Sequence, residues 1–136
     1  MTPVATVELP VPPSVNNIWR VTHVRSKARI TLSQTYRAWR DLAVFLIRAG
    51  MRPIKVYPVA VRVVIVRGKG WRAGRDCDNV LKGILDALVK SERLAGDDEE
   101  HVVRVVVEFG ERAVDACVRV SIEPAGSPTG AAECAA

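Results

Sequence analysis

The stretch Val59-Ala-Val-Arg-Val-Val-Ile-Val66 decides how this chain is read. β-Branched side chains are stiff at χ1 and pack well on a pleated surface, so a run this dense predicts a strand. Only Arg62 interrupts it with charge, and a nearly continuous apolar run predicts a strand largely buried on both faces. Pro53 separates it from what precedes, and Gly68-Lys-Gly70 ends it.

Downstream, Gly68-Lys-Gly70 invites comparison with phosphate-binding loops, but the spacing rejects it. A Walker A loop needs Gly-x4-Gly-Lys-Ser/Thr, and the dinucleotide fingerprint needs a third glycine where Ala73 stands. The glycines predict a basic hairpin or loop, with Trp71 placed to meet a base or sugar. A helix is predicted from about Asp78 to Lys90, capped by Asp76 or Asp78, with Val80, Leu81, Ile84, Leu85 and Leu88 on its buried face. Asp78, Lys82 and Asp86, four apart, share one side of it. Gly96 then turns the chain into Asp97-Asp98-Glu99-Glu100 and a second strand, His101 to Phe109. Gly110-Glu111-Arg112 is expected to turn tightly into Val114 to Ile122, which makes a hairpin. In this reading the acidic run sits at the mouth of a strand, beside the start of the preceding helix.

Upstream, Ser33 caps a predicted helix over Gln34 to Ala49 that stops at Gly50. Tyr36, Trp39, Leu42, Ala43, Leu46 and Ile47 form its apolar stripe, so Trp39 is read as a core residue. Residues 18–33 carry Trp19, Arg20, His23, Arg25, Lys27 and Arg29 with little periodicity and read as a basic loop. Thr6 to Leu9 is a short first strand, followed by a Pro12-Pro13 turn that Asn16-Asn17 continues. The expected architecture is a two-layer α+β domain over residues 1–123, of order β-α-β-α-β-β, with a small mixed sheet packed by two helices. From Pro124 the Gly/Pro/Ala-rich residues 124–136 read as a disordered tail.

At 136 residues the chain is one domain with room for a real core. No apolar run is long enough to span a membrane, and the N-terminus lacks the basic head and apolar centre of a signal peptide. Cys77, Cys117 and Cys134 fit neither a metal spacing nor a disulfide framework. A cytoplasmic, reducing setting is expected.

The net charge of +5 conceals an asymmetry. Residues 1–75 hold 14 Lys/Arg against Glu8 and Asp41, a net +12; residues 76–136 hold 6 against 13 acids, a net −7. A basic half suits a phosphate backbone, where counterion release drives binding. Asp76 and Asp78 follow directly on Arg67, Lys69, Arg72 and Arg75, with the second acidic cluster about twenty residues on. Oxygen-only donors of this kind suit a hard divalent ion, Mg²⁺ with Mn²⁺ as a substitute. Together, cations and carboxylates point to phosphodiester hydrolysis on a nucleic acid. An EF-hand would need Gly and Glu where Leu81 and Ala87 stand, and a dehalogenase-type nucleophile would follow an apolar strand directly. Neither fits.

Arg75-Asp-Cys-Asp-Asn-x-x-Lys82, then Asp86-Ala-Leu88, then Asp97-Asp98 before a valine-rich strand, resembles the RusA-type Holliday junction resolvases. Leu9-Pro-Val-Pro-Pro-Ser-x-Asn-Asn17 resembles that family's N-terminal segment. The resemblance covers residues 6–122 and implies a homodimeric, Mg²⁺-dependent endonuclease that resolves four-way DNA junctions by symmetric paired nicks. It implies Asp76, Asp78 and Asp98 as metal-binding catalytic carboxylates, with Asp97 the alternative to Asp98. Lys82 would act as the catalytic lysine near the scissile phosphate. Expected DNA contacts are Arg67, Lys69, Arg72, Arg75 and Asn79 beside the carboxylates, and Arg20, Arg25, Lys27 and Arg29 in the basic loop. Two other readings stay open: a metal-dependent nuclease for other branched DNA, and a non-catalytic basic DNA-binding module.

Overall fold

The computed structural model describes residues 5–14, 18–25 and 27–125. The order is β1 (Ala5–Leu9), β2 (Trp19–Val24), β3 (Lys27–Leu32), α1 (Gln34–Gly50), β4 (Val59–Lys69), a 3-10 turn (Cys77–Val80), α2 (Leu81–Lys90), β5 (Val102–Asp115) and β6 (Cys117–Pro124). Four strands form a mixed sheet of order β1-β6-β4-β5, and β2 and β3 form a separate two-stranded sheet. This is the expected α+β design of a mixed sheet and two helices, with one hairpin added.

β4 is the central strand, antiparallel to β6 and parallel to β5. Its residues Val59, Val61, Val63 and Ile65 are fully buried beside Val118, Val120 and Ile122 of β6. Tyr36, Trp39, Ala43 and Ile47 of α1 and Ile84, Ala87 and Leu88 of α2 belong to the same core. The other face of the sheet carries charge: Arg62 pairs with Glu108, and Arg119 with Glu8 at 3.4 Å. Burial of β4 is therefore strongest on one face rather than uniform on both. Ser33 caps α1 as expected, its Oγ accepting from Tyr36 N at 3.1 Å. Trp39 lies in the core and donates Nε1 to Pro10 O at 2.8 Å.

Three expectations need correction. Residues 18–33 are a hairpin, not an irregular loop: β2 and β3 pair antiparallel from Trp19↔Leu32 to Val24↔Lys27, around Arg25 at φ 53. Alternation is present, but the cations sit in positions that a core-facing strand would fill with apolar residues, which hides the period. Second, β5 and β6 do not pair with each other. β5 runs straight through Gly110, lies on one side of β4, and hands over through Ala116 alone to β6 on the other side. Ala116 N donates to Lys69 O at 2.9 Å as the chain rounds the end of β4. Gly68 allows that passage, because a Cβ there would collide with the Ala113 carbonyl oxygen. A Cβ at Gly110 would lie 2.6 Å from Val64 Cγ1, so that glycine serves close packing rather than a turn. Third, the helix expected over 78–90 starts as a 3-10 turn and becomes α-helical only at Leu81.

Asn16 and Asn17, and the tail from residue 126, lie outside the described residues; Pro124 is the last residue of β6. No helix among the described residues is long and apolar enough to cross a membrane.

Candidate functional site

The loop from Gly70 to Asp76 leaves the end of β4 and re-enters the core at the 3-10 turn. Gly70 (φ 102) and Gly74 (φ 84) adopt left-handed backbone that other residues take only with strain. Val80 is fully buried and Cys77 packs on the core edge, so the segment is anchored at both ends of one 3-10 turn. Asp76 and Asp78 flank Cys77 and are both exposed. Asp76 occupies the N-cap position of the 3-10 turn with extended backbone, yet its carboxylate makes no capping hydrogen bond. Neither Asp76 nor Asp78 is in an ion pair with a described residue. Two exposed carboxylates, unpaired among the described residues, thus stand two positions apart where a braced loop meets the 3-10 turn.

Arg75 does the bracing. Its Nε donates to Asn79 Oδ1 at 2.8 Å, its Nη2 to Pro12 O at 2.8 Å, and its guanidinium lies over Trp71, 4.9 Å from the ring centroid. Burial, and secondarily Arg72, lower its pKa. Arg75 and Asn79, both expected as DNA contacts, are thus turned largely to each other and to the Pro12 segment. Lys69, the last residue of β4, and Arg72, on the loop, are exposed.

Lys82 stands on the first turn of α2, and its Nζ lies 3.6 Å from Asp86 Oδ2. The Tyr36 hydroxyl donates to that oxygen at 3.3 Å. Gly83 makes this possible: α2 packs so close to α1 that a Cβ there would sit 3.3 Å from Pro12 and 3.4 Å from Trp39. Burial first, then Asp86, pushes the Tyr36 pKa up to about 12. Tyr36, Arg40, Lys82, Asp86 and Asp97 line a cleft of about 420 Å³.

Asp98 is placed differently from the expectation. Its Oδ1 accepts from Glu100 N at 3.0 Å and lies 2.6 Å from His101 Nδ1. The His101 bond holds its carboxyl below the ordinary value. Val59 N donates to His101 O, so Asp97–Glu100 lie at the first residue of β4, whereas Asp76 and Asp78 follow its last. The crossover β4–α2–β5 puts the acidic run after the end of α2, not beside its start. α2 has ten residues, roughly 15 Å of helix between the two groups. Among the described residues no three acidic, histidine or cysteine side chains are grouped to hold a metal ion.

The hairpin contributes a further basic surface. Its register sets Arg20, Lys27 and Arg29 on one face and Trp19, Val21, Ile30 and Leu32 on the other, with Arg25 at the turn. Tyr36, Arg40, Phe109 and Arg112 escape the sequence reading. Tyr36 counts there as plain core stripe, and Phe109 and Arg112 flank a supposed turn.

A family model for endodeoxyribonuclease RusA matches residues 10–123. The chain belongs to the RusA family. The match spans β2 to β6 and contains Asp76, Asp78, Lys82, Asp86, Asp97, Asp98 and the cations of the loop and hairpin. No curated protein matches the chain. RusA proteins are endodeoxyribonucleases that resolve Holliday junctions, and that is the enzyme class of this chain. Resolvases of the family are generally dependent on a divalent metal.

In donor chemistry Asp76 and Asp78 suit such an ion: two exposed carboxylates with no ion-paired cation among the described residues. Mg²⁺ is commonly held by one or two carboxylates, with waters and substrate phosphate completing its shell, so a closed protein cage is not required.

Proposed function

We propose that this RusA-family chain is a Mg²⁺-dependent, structure-selective endonuclease that resolves four-way junctions by symmetric paired nicks, acting as a homodimer. The reading is carried by Asp76 and Asp78: exposed carboxylates with no ion pair among the described residues, close in sequence to the cations of the loop, with Asp78 four residues before Lys82. A bound Mg²⁺ would supply charge relief at the phosphoryl oxygens and a more acidic water.

The chain's own residues have distinct tasks. Asp76 and Asp78 orient the scissile region, and Lys82 sets positive charge where the transition state gains negative charge. Its pairing with Asp86 is half exposed and therefore weak, so Lys82 can exchange that partner for a phosphate. Lys69 at the end of β4, Arg72 on the loop, and Arg20, Arg25, Lys27 and Arg29 on the hairpin, hold the DNA backbone. Asp98, with Asp97 as its alternative, is the third carboxylate of the metal-binding set, supplied to Asp76 and Asp78 either within one subunit or across the dimer. Two sites related by a two-fold axis suit a junction with pseudo-two-fold symmetry.

Cleavage of an end-labelled mobile four-way junction in Mg²⁺, against Ca²⁺ or EDTA, tests this reading, with flap and duplex DNA as competitors. Paired nicks at symmetric positions, seen with Mg²⁺ and preferring the junction, are expected. Junction binding without cleavage in any divalent metal would sink the proposal and leave a DNA-binding module.

A further inference from the structure

A second cavity, of about 450 Å³, lies beside the carboxylate loop and is lined by Arg67, Trp71, Arg75, Phe109 and Arg112 among others. None of the described residues that line it is acidic. Cations and rings alternate along it. Arg67 Cζ lies 4.9 Å from the Phe109 centroid, Phe109 meets Trp71 edge to face at 5.8 Å, and Arg75 covers Trp71.

Such a ladder could merely stiffen the loop, and for Arg75 that explanation suffices. It does not explain the rest. Phe109 remains 42% exposed on the edge strand, although full burial would be the simplest use of a large ring. Arg67 Nε is shut off from solvent with no hydrogen-bond partner among the described residues, an uncompensated donor beside an open cavity. Arg112 adds a third guanidinium without a carboxylate to answer it among the lining residues.

We propose that this cavity receives a single unpaired nucleotide, its base against Trp71 and Phe109 and its phosphate against Arg67 and Arg112. The volume falls within the range of small-molecule pockets. Rings with exposed faces stack on any base, and guanidinium groups bind phosphate by paired donors. A paired base is stacked on its neighbours and cannot enter. Extrusion costs least where stacking is already interrupted, as at a branch point. Trp71 is on the same loop as Asp76, five residues earlier, so an extruded nucleotide would lie close to the scissile phosphate. Through this cavity the enzyme would read a branch rather than a sequence. The proposal rests on the nuclease reading for its DNA substrate, but not for its own chemistry.

The test uses the full chain in EDTA, so that no cutting is needed. Four-way junctions carry 5-iododeoxyuridine at single positions, and near-ultraviolet cross-links are mapped by mass spectrometry. Cross-linking to Trp71 or Phe109 is expected from positions at the branch, and not from paired positions within the arms. Trp71→Ala should weaken binding of DNA with one unpaired nucleotide roughly tenfold while leaving duplex binding unchanged. Cross-links confined to other peptides, or equal from paired positions, overturn the proposal even if Trp71→Ala does not fold. A folded Trp71→Ala that keeps full preference for the unpaired nucleotide overturns it too. A chain that cross-links but never cuts in Mg²⁺ loses the nuclease reading and keeps the cavity. One that cuts but does not cross-link there loses only the cavity.

Discussion

The hydroxyl of Tyr36 on α1 donates to Asp86 Oδ2 on α2 at 3.3 Å, and the same oxygen lies 3.6 Å from Lys82 Nζ. One carboxylate thus ties the core-facing side of α1 to the lysine beside the carboxylate loop. Burial first, then the Asp86 charge and this hydrogen bond, raise the Tyr36 pKa from 10.0 to about 12. A raised phenol favours the native state in its neutral form. That contribution is complete below pH 10 and is lost as the pH rises through 12. Tyr36→Phe should abolish tyrosinate absorbance appearing near pH 12 and flatten the fall in Tm between pH 10 and 12. It should cost about 1 kcal/mol at neutral pH. An unchanged alkaline profile in the variant would remove the assignment.

Lys82 is expected to matter for cutting and not for folding. Its pair with Asp86 is half exposed, and such pairs contribute roughly 0–1 kcal/mol. Lys82→Ala should therefore shift Tm by only a few degrees while lowering the single-turnover cleavage rate by about 10²–10³-fold. Junction affinity, measured in Ca²⁺, should fall much less. Equal losses in affinity and rate would make Lys82 an ordinary backbone contact.

Arg75 and Arg72 are neighbours on one loop with different expected roles. Arg75 is held by Asn79 and Pro12, whereas Arg72 is exposed. A phosphate contact adds about one unit to the salt dependence of DNA binding. Arg72→Gln should reduce the slope of log K against log salt by about one and leave Tm alone. Arg75→Gln should lower stability by roughly 1–3 kcal/mol and leave the slope intact. The opposite pattern would return Arg75 to the DNA interface.

Much of the fold was legible because burial and periodicity agree in it. β4, α1 and α2 each show one clean apolar pattern, and the Ser33 cap follows from its side-chain chemistry. The exposure of Asp76 and Asp78 on either side of the half-buried Cys77 follows the same alternation. What escaped depends on partners distant in sequence. Nothing in Gly110-Glu111-Arg112 reveals that β5 lies on the far side of β4 from β6, because a strand's neighbour is decided by which edge is free. The basic hairpin pairs with itself and buries little, so hydrophobic period carried no signal there. The acidic run follows α2 for a topological reason: a crossover helix runs back along the sheet before its exit loop begins the next parallel strand.

Gly68 tests the unexpected passage from β5 to β6. A methyl at this position would collide with the Ala113 carbonyl oxygen and come 2.9 Å from that of Val114. Both are backbone atoms and cannot step aside. Gly68→Ala should cost about 1–3 kcal/mol and lower Tm by several degrees. If β5 and β6 instead formed the hairpin expected from Gly110, the same change would be neutral. A chemical denaturation series on this one variant distinguishes the two topologies.

The separation of Asp98 from Asp76 and Asp78 gives the most exposed prediction. In sequence the two groups bracket α2, with Asp76 and Asp78 before it and Asp98 after its ten residues. If the partner subunit's Asp98 completes each site, Asp78→Asn and Asp98→Asn homodimers are both inactive, because each lacks one ligand in every site. A mixed dimer restores one site: the Asp98→Asn subunit supplies its intact Asp76 and Asp78, and the other subunit supplies an intact Asp98. Mixing the two variants under conditions of subunit exchange should then recover single nicks on the junction, with at most one competent site per mixed dimer. Ligands contributed within one chain predict no recovery, since the Asp78→Asn subunit and the Asp98→Asn subunit would each carry a broken site. Gel-resolved nicking of one strand per junction in the mixture, against none in either variant alone, would place the third carboxylate across the dimer.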